Sequence, residues 1–406
     1  MNIFMNIKCV CYKMNGDTKM SLFLDKSICD SFRKSIGETN IFSHDQELKN
    51  HYNLFCVVMD RLDSSVHYLN EHSEKPKTEN DFLFFITHSC IVLDAVKQLF
   101  QSLNLENDYT TDNKDSYVYF KDTCAAYPVI FPENQTPTDD KFFEYFRSLS
   151  MAHPFETSRP KFFKKNEIQY SSWVIAHSHF SNTKDSVGAR IYSNQFEDIQ
   201  DLKFSFEQLK KYIASRYLLI NEATEKIYQI IEEKRILWRK NKIPSRLSSV
   251  QILTEIKERL VERYENTYSI DLVLDCFDIP LTNSNNQNIV SKYRNNIESL
   301  LPSLIDTVEE LDHEALEAKL SSLLYARPKK MHQMANYQLE KIFTYLNVND
   351  GISSNYYWGL EQTEGFVNEL GSKWVTIDTN KMNAEEIKLL VRVACYFEKE
   401  HQNNKH

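Results

Sequence analysis

The chain has 406 residues, a formal net charge of −9 and only seven glycines. No pair of those glycines has the spacing of a P-loop or a dinucleotide fingerprint, motifs that need glycine so that backbone N–H groups can approach a phosphate. Walker ATPases, Rossmann oxidoreductases and kinase-type glycine loops are argued against, as is coating of nucleic acid by bulk charge.

The remaining composition is that of a soluble globular protein, 42% apolar and 26% charged, long enough for about two to three domains. Few glycines and prolines favour long helices. The eight cysteines are scattered, with only Cys9 and Cys11 close together. No second cluster completes a zinc set, so reduced core thiols in a cytoplasmic protein are expected. No run of 18 apolar residues is present, and no membrane-spanning helix is expected. Nothing calls for a cofactor.

In chain order, residues 1–42 read as an N-terminal leader, with methionines at 1, 5, 14 and 20 among Asn and Lys. A helix over 43–72 follows from Phe55, Val58, Leu62, Val66 and Leu69 at three- and four-residue spacing, with Ser43 or Asp45 as its cap. A polar turn leads to a second helix at 81–104, capped by Asn80 and carrying Phe85, Val92, Val96, Leu99 and Leu103. The two form an antiparallel hairpin. Asp139 or Asp140 opens a third helix, which Pro154 ends just after His153. Residues 167–205 alternate as two or three antiparallel strands. A single helix over 206–241 would be roughly 54 Å long. Beyond a hinge near Pro244, helices are expected at 248–265, 286–301, 312–325, 330–347 and 383–402, with a strand at 374–378. The expected fold is mainly α (α+β): an antiparallel helical bundle over 43–245 with a β insertion at 167–205, then a C-terminal helical domain over 246–406.

The segment KFFEYFRSLSMAHPFETSRPKFFKK, residues 141–165, carries the chemistry. Arginine binds phosphate through two parallel N–H donors, and histidine exchanges a proton near neutral pH. In an α-helix Arg147 and His153 would lie about 120° apart, able to converge on one cleft. Arg-x(4–6)-His alone decides little, since roughly one match arises by chance. Three occur: Arg61/His67, Arg147/His153 and Arg327/His332. Asp60 and Asp63 flank the first, which reads as a surface ion pair, although both could turn toward a cleft. The third sits in a basic RPKKMH stretch, a possible second RNA contact. Around the second, Lys141, Arg147, Arg159, Lys161, Lys164 and Lys165 outweigh Glu144 and Glu156, and Phe155, Phe162 and Phe163 interleave with them. That pattern suits RNA contact by charge and stacking, or a solvated loop with aromatics folded inward. His177 and His179 share a strand face and could ligate metal with Asp185 or His88, though a polar strand face explains them as well. His88 and Asp94 are placed to line the bundle interior.

RSLSMAHP, following a helical hairpin, resembles the signature of the HEPN superfamily, R-x(4–6)-H often written RNxxxAHP. The likeness covers about residues 43–160 and departs at Ser148, where active members often carry Asn, and at the β insertion. It implies a metal-independent endoribonuclease, a homodimer with paired sites across a cleft, His153 moving protons and Arg147 on the scissile phosphate. Ser148, Asp60 and His88 are possible supporting residues. Antiphage defence or toxin activity, with a regulatory protein or phage trigger acting through the C-terminal region, is the implied setting. A non-catalytic helical adaptor that binds RNA or protein is the alternative, and a hydrolase using His177 and His179 a third reading.

Overall fold

The computed structural model describes residues 23–105, 116–132, 135–156, 166–175, 185–244, 246–331, 333–346 and 354–404. The fold is mainly α with one small antiparallel sheet, and the chain divides into two compact units. The first comprises Met1–Glu38 and Asn50–Tyr228, the second Thr39–Lys49 and Gln229–His406. The division therefore falls inside a helix rather than at the Pro244 segment.

The N-terminal stretch read as a leader contains helix. α1 (Lys26–Gly37) belongs to the first unit and buries Ile28, Phe32 and Ile36, while the short α2 (Ile41–His44) belongs to the second. α3 (Lys49–Glu71) and α4 (Glu79–Ser102) are the expected hairpin helices, and every apolar position named for α3 is buried. The cap of α4 is Thr78 rather than Asn80: its hydroxyl accepts from the Asp81 N–H while the Asp81 carboxylate accepts from the Thr78 N–H, a reciprocal pair that satisfies two end donors. By length and composition α4 is apolar enough to cross a membrane. Thr87, His88, Asp94 and Lys97 interrupt its apolar residues, so it holds no unbroken apolar run of that length. In the fold, Phe82, Phe85, Ile86, Val92 and Leu99 of α4 are core side chains.

α5 (Lys121–Ala126) and α6 (Asp139–Arg147) precede the sheet. β1 (Gln169–Ile175), β2 (Ser186–Ser193) and β3 (Gln200–Ser205) run as an antiparallel meander in that order. The single long helix expected over 206–241 is two: α7 (Phe206–Tyr217) and α8 (Ile220–Lys240). At the break, Leu219 N–H bonds the Arg216 carbonyl and Asn221 N–H the Leu218 carbonyl. These i→i+3 bonds tighten the turn and end the α ladder.

The second unit is helical: α9 (Ser249–Glu262), α10 (Tyr268–Asp278), α11 (Gln287–Glu309), α12 (His313–Leu324), α13 (Ala335–Tyr345), α14 (Ser354–Glu369) and α15 (Ala384–Asn403). α10 and α14 escaped the periodicity reading. The strand expected at 374–378 does not form. There the Asn286 side chain donates to the Thr376 carbonyl and accepts from the Thr376 N–H, both at 2.8 Å. A side-chain amide thus supplies the pairing that a neighbouring strand would have given.

Candidate functional site

α6 is built to present its last turn. Thr138 caps it by accepting from the Lys141 N–H, and Asp139 and Asp140 sit in the first turn, where the helix dipole favours negative charge. Asp139 is almost fully buried, and its carboxylate accepts from the backbone N–H groups of Val118, Tyr119 and Phe120 at 2.8–3.1 Å. Phe142, Phe143, Tyr145 and Phe146 bury the inner face. Arg147 follows at the end, half-buried.

Beyond Arg147 the helix widens. Ser148–Ala152 form a π turn, closed by the His153 N–H on the Ser148 carbonyl at 2.7 Å. The Ser150 hydroxyl donates to the Phe146 carbonyl, also at 2.7 Å. Proline disfavours helix in the residue before it, and His153 leaves the helix at φ −141°, ψ 57°. The Pro154 carbonyl then accepts from the Ser171 N–H of β1 at 2.8 Å, which ties the turn to the sheet. The α-helical angle between Arg147 and His153 therefore does not apply, because a π turn takes i→i+5 bonds and winds more slowly. Ser148 contributes through its backbone, as the first residue of this turn.

Arg147 lines a cleft of about 310 Å³ in the first unit. Cys90, Asp94 and Lys97 of α4 form one wall; Asp140, Lys141 and Glu144 of α6 stand beside Arg147; Tyr212 and Arg216 come from α7. Arg216 is fully engaged. Its Nε and Nη2 donate to the two Asp140 carboxylate oxygens at 3.0 and 3.1 Å, and the Tyr212 hydroxyl donates to Asp140 at 2.7 Å. Burial opposes the Arg216 charge, but the bonds and charge of Asp140 outweigh it and hold the guanidinium protonated. Burial, reinforced by Asp140, keeps the Tyr212 phenol far from ionising. Arg147 differs: among the described residues no carboxylate stands in ion-pair range of it, and its charge falls on the Cys90 thiol. Burial pushes that thiol up to about 11, with Arg147 partly offsetting the rise and Asp94 adding to it.

The other candidate residues lie elsewhere. His153 is exposed and does not line the cleft. Asp60 is exposed and pairs with Arg33 at 3.4 Å, beside the shorter Arg33–Asp63 contact of 2.6 Å. His67 faces Glu71, at 3.3 Å. His88 packs between the hairpin helices, its Nδ1 3.2 Å from the Ser65 hydroxyl and its ring stacked on Tyr68 at 4.1 Å. Burial lowers its pKa, aided by the charges of His72 and Arg61. Asp94, of the two α4 residues named from sequence, is the one that reaches the cleft. Arg159, Lys161, Lys164, Lys165, Phe162, Phe163, His177, His179 and His332 lie outside the described residues. Cys90, Lys97, Tyr212 and Arg216 went unnoticed because nothing in their local sequence shows that α4, α6 and α7 converge.

The cleft is small-molecule sized and offers one arginine not spent on an ion pair, with lysines at its rim. It can hold an oxyanion such as a phosphodiester, while His153 lies at the far end of the π turn that begins next to Arg147. No protein-family model matches the chain, and neither a curated protein nor a solved structure is detectably similar to it.

Proposed function

We propose that the first unit binds RNA at the Arg147 cleft and cleaves it without a metal, in the manner of the HEPN-like ribonucleases that RSLSMAHP resembles. The observation that carries this reading is Arg147 itself: a half-buried guanidinium on a cleft wall, with no carboxylate among the described residues in ion-pair range. Natural interiors rarely leave an arginine so placed without an anion to meet. In the reaction, the ribose 2′-oxygen attacks the adjacent phosphorus as its proton leaves to a base. The P–O5′ bond breaks, the 5′-oxygen takes up a proton, and a 2′,3′-cyclic phosphate and a 5′-hydroxyl result. Arg147 bears the charge that grows on the phosphoryl oxygens, and His153 serves as the proton-transfer group. A second copy of the chain completes the cleft. The setting is a toxin or antiphage effector, with the second unit receiving a regulatory protein or phage trigger.

One observation favours a second reading. His153 does not line the cleft that holds Arg147, as a non-catalytic RNA-binding adaptor would allow. Incubating the purified chain with end-labelled single-stranded RNA in EDTA separates the two. Cleavage is expected, with cyclic-phosphate ends, and is lost in His153→Ala and Arg147→Ala. Cleavage that survives His153→Ala removes His153 from proton transfer and with it the HEPN-like assignment. RNA bound but left intact by wild type and both variants establishes the adaptor.

A further inference from the structure

The second unit holds a buried cation with no ion-pair partner among the described residues. Arg392 of α15 is 5% exposed, and its Nε is enclosed without a hydrogen-bond acceptor. Among the described residues it makes neither an ion pair nor a hydrogen bond. Its guanidinium carbon sits 5.1 Å from the centre of the Phe343 ring on α13. A second arginine shares that ring: Arg327, just past the end of α12, at 5.9 Å. Arg327 donates to the neighbouring Ala326 carbonyl at 3.2 Å and has no carboxylate in range among the described residues.

A desolvated cation–π contact returns less than the effective penalty for removing an ion from water. The ring therefore does not balance one enclosed guanidinium, still less two that repel each other. Asp275 of α10 is the acid that senses Arg392. Its carboxyl pKa is raised by burial and by Glu385, Asp271 and Asp278, against which Arg392 pulls it down, but it stands outside ion-pair range. Phe343 and Arg327 are only half-buried, which leaves an approach from solvent.

We propose that Arg392 and Arg327, gathered on Phe343, bind a terminal phosphate group, carried as inorganic phosphate or as a phosphate monoester. A dianion matches two unpaired monovalent cations, and its oxygens accept the planar N–H arrays that guanidinium groups present. The basic stretch Arg327, Lys329 and Lys330 adds a favourable field at the approach. This site belongs to the second unit and stands or falls independently of RNA cleavage by the first.

The test is thermal unfolding of the full chain at constant ionic strength, titrated with inorganic phosphate in one arm and glycerol phosphate in another, against chloride. The second-unit transition is expected to rise with phosphate, and the arm with the tighter midpoint identifies the natural form. Arg392→Met should abolish the response while leaving the protein at least as stable without phosphate, since removing a buried unpaired charge costs nothing. Arg327→Gln should weaken the response about tenfold, the loss of one charge-assisted contact. It carries the same test should Arg392→Met not fold. Asp275→Asn should tighten binding. No response beyond chloride in either arm overturns the site, as does an undiminished response in Arg392→Met. If Asp275→Asn lowers stability and leaves phosphate binding unchanged, Asp275 is the true partner of Arg392 and the proposal fails.

Discussion

Arg216 grips Asp140 through two parallel hydrogen bonds, Nε at 3.0 Å and Nη2 at 3.1 Å, and thereby fastens α7 to the first turn of α6. The pair fixes one side of the cleft and leaves Arg147, seven residues further along the chain, as the cleft guanidinium with no carboxylate in ion-pair range among the described residues. Arg216 is nearly buried, and Asp140 also accepts from Tyr212. Asp140→Ala strands both donors, so it is expected to destabilise the first unit by about 2–3 kcal/mol. Urea unfolding of wild type and variant measures this directly. A change below 0.5 kcal/mol, the ordinary level for surface sites, would show that the pair does not hold the cleft.

The contact of Arg147 with Cys90 gives a readout that owes nothing to catalysis. Burial raises the thiol to about 11 and Arg147 holds it below where burial alone would put it. Since the thiolate is the reactive form, Cys90 should alkylate slowly at pH 8 and faster as the pH climbs toward 11. Arg147→Ala should slow it further at every pH, unless the truncation opens the cleft to reagent. Arg147→Met, which keeps the bulk, separates those effects. Peptide-resolved iodoacetamide kinetics report the Cys90 rate, and an Arg147→Met rate equal to wild type would remove Arg147 from the thiol.

His88 makes stability depend on pH in a defined direction. Its folded pKa lies below the ordinary 6.5, first through burial and then through His72 and Arg61. Between the folded and unfolded values the unfolded chain binds more protons, so stability rises with pH across that window and is lost as pH falls below about 6.5. Above 6.5 both forms are neutral and His88 contributes no slope. His88→Gln, which retains a group able to meet Ser65, should flatten the acid side of a stability profile measured from pH 5 to 7.5. A slope as steep in the variant as in wild type assigns the effect to another group.

How much of this was legible in the sequence depends on the range of the interaction. The α3 and α4 faces were plain because helical burial repeats within each segment, and the sheet, expected as two or three strands, because alternation does the same. Asp139 marks where local reading stops. It was a candidate cap for α6, yet Thr138 caps the helix and Asp139 instead binds the N–H groups of residues 118–120, about twenty positions earlier. No local pattern announces that. The break at Leu218–Leu219 was hidden because both residues continue the apolar helical pattern and neither is Gly or Pro. At the candidate site, Arg147 was readable from its motif, while the partners that shape its cleft come from α4 and α7 and are joined only by the tertiary fold. The π turn that resets the direction of His153 is likewise invisible to a count of 3.6 residues per turn.

Glycine, sparse along the whole chain, is indispensable at one strand position. Gly188 of β2 pairs with Lys203 of β3 and with Ile175 of β1. A Cβ built there would lie 1.8 Å from the Leu202 carbonyl oxygen and 2.9 Å from its carbon. Both are backbone atoms of the neighbouring strand, so no side-chain rotation relieves the clash. Gly188→Ala must push β3 from β2 or break their ladder, and the core side chains Val187, Ala189, Leu202 and Phe204 move with those strands. The expected cost is about 3 kcal/mol, at or above the usual range for overpacking. For comparison, Gly37→Ala meets no atom within 4 Å of its added Cβ. At the end of a helix it should change stability by less than about 1 kcal/mol. Side-by-side thermal unfolding of the two variants decides the matter. Equal melting temperatures for Gly188→Ala and wild type would mean that β2 and β3 do not approach as closely as this register requires.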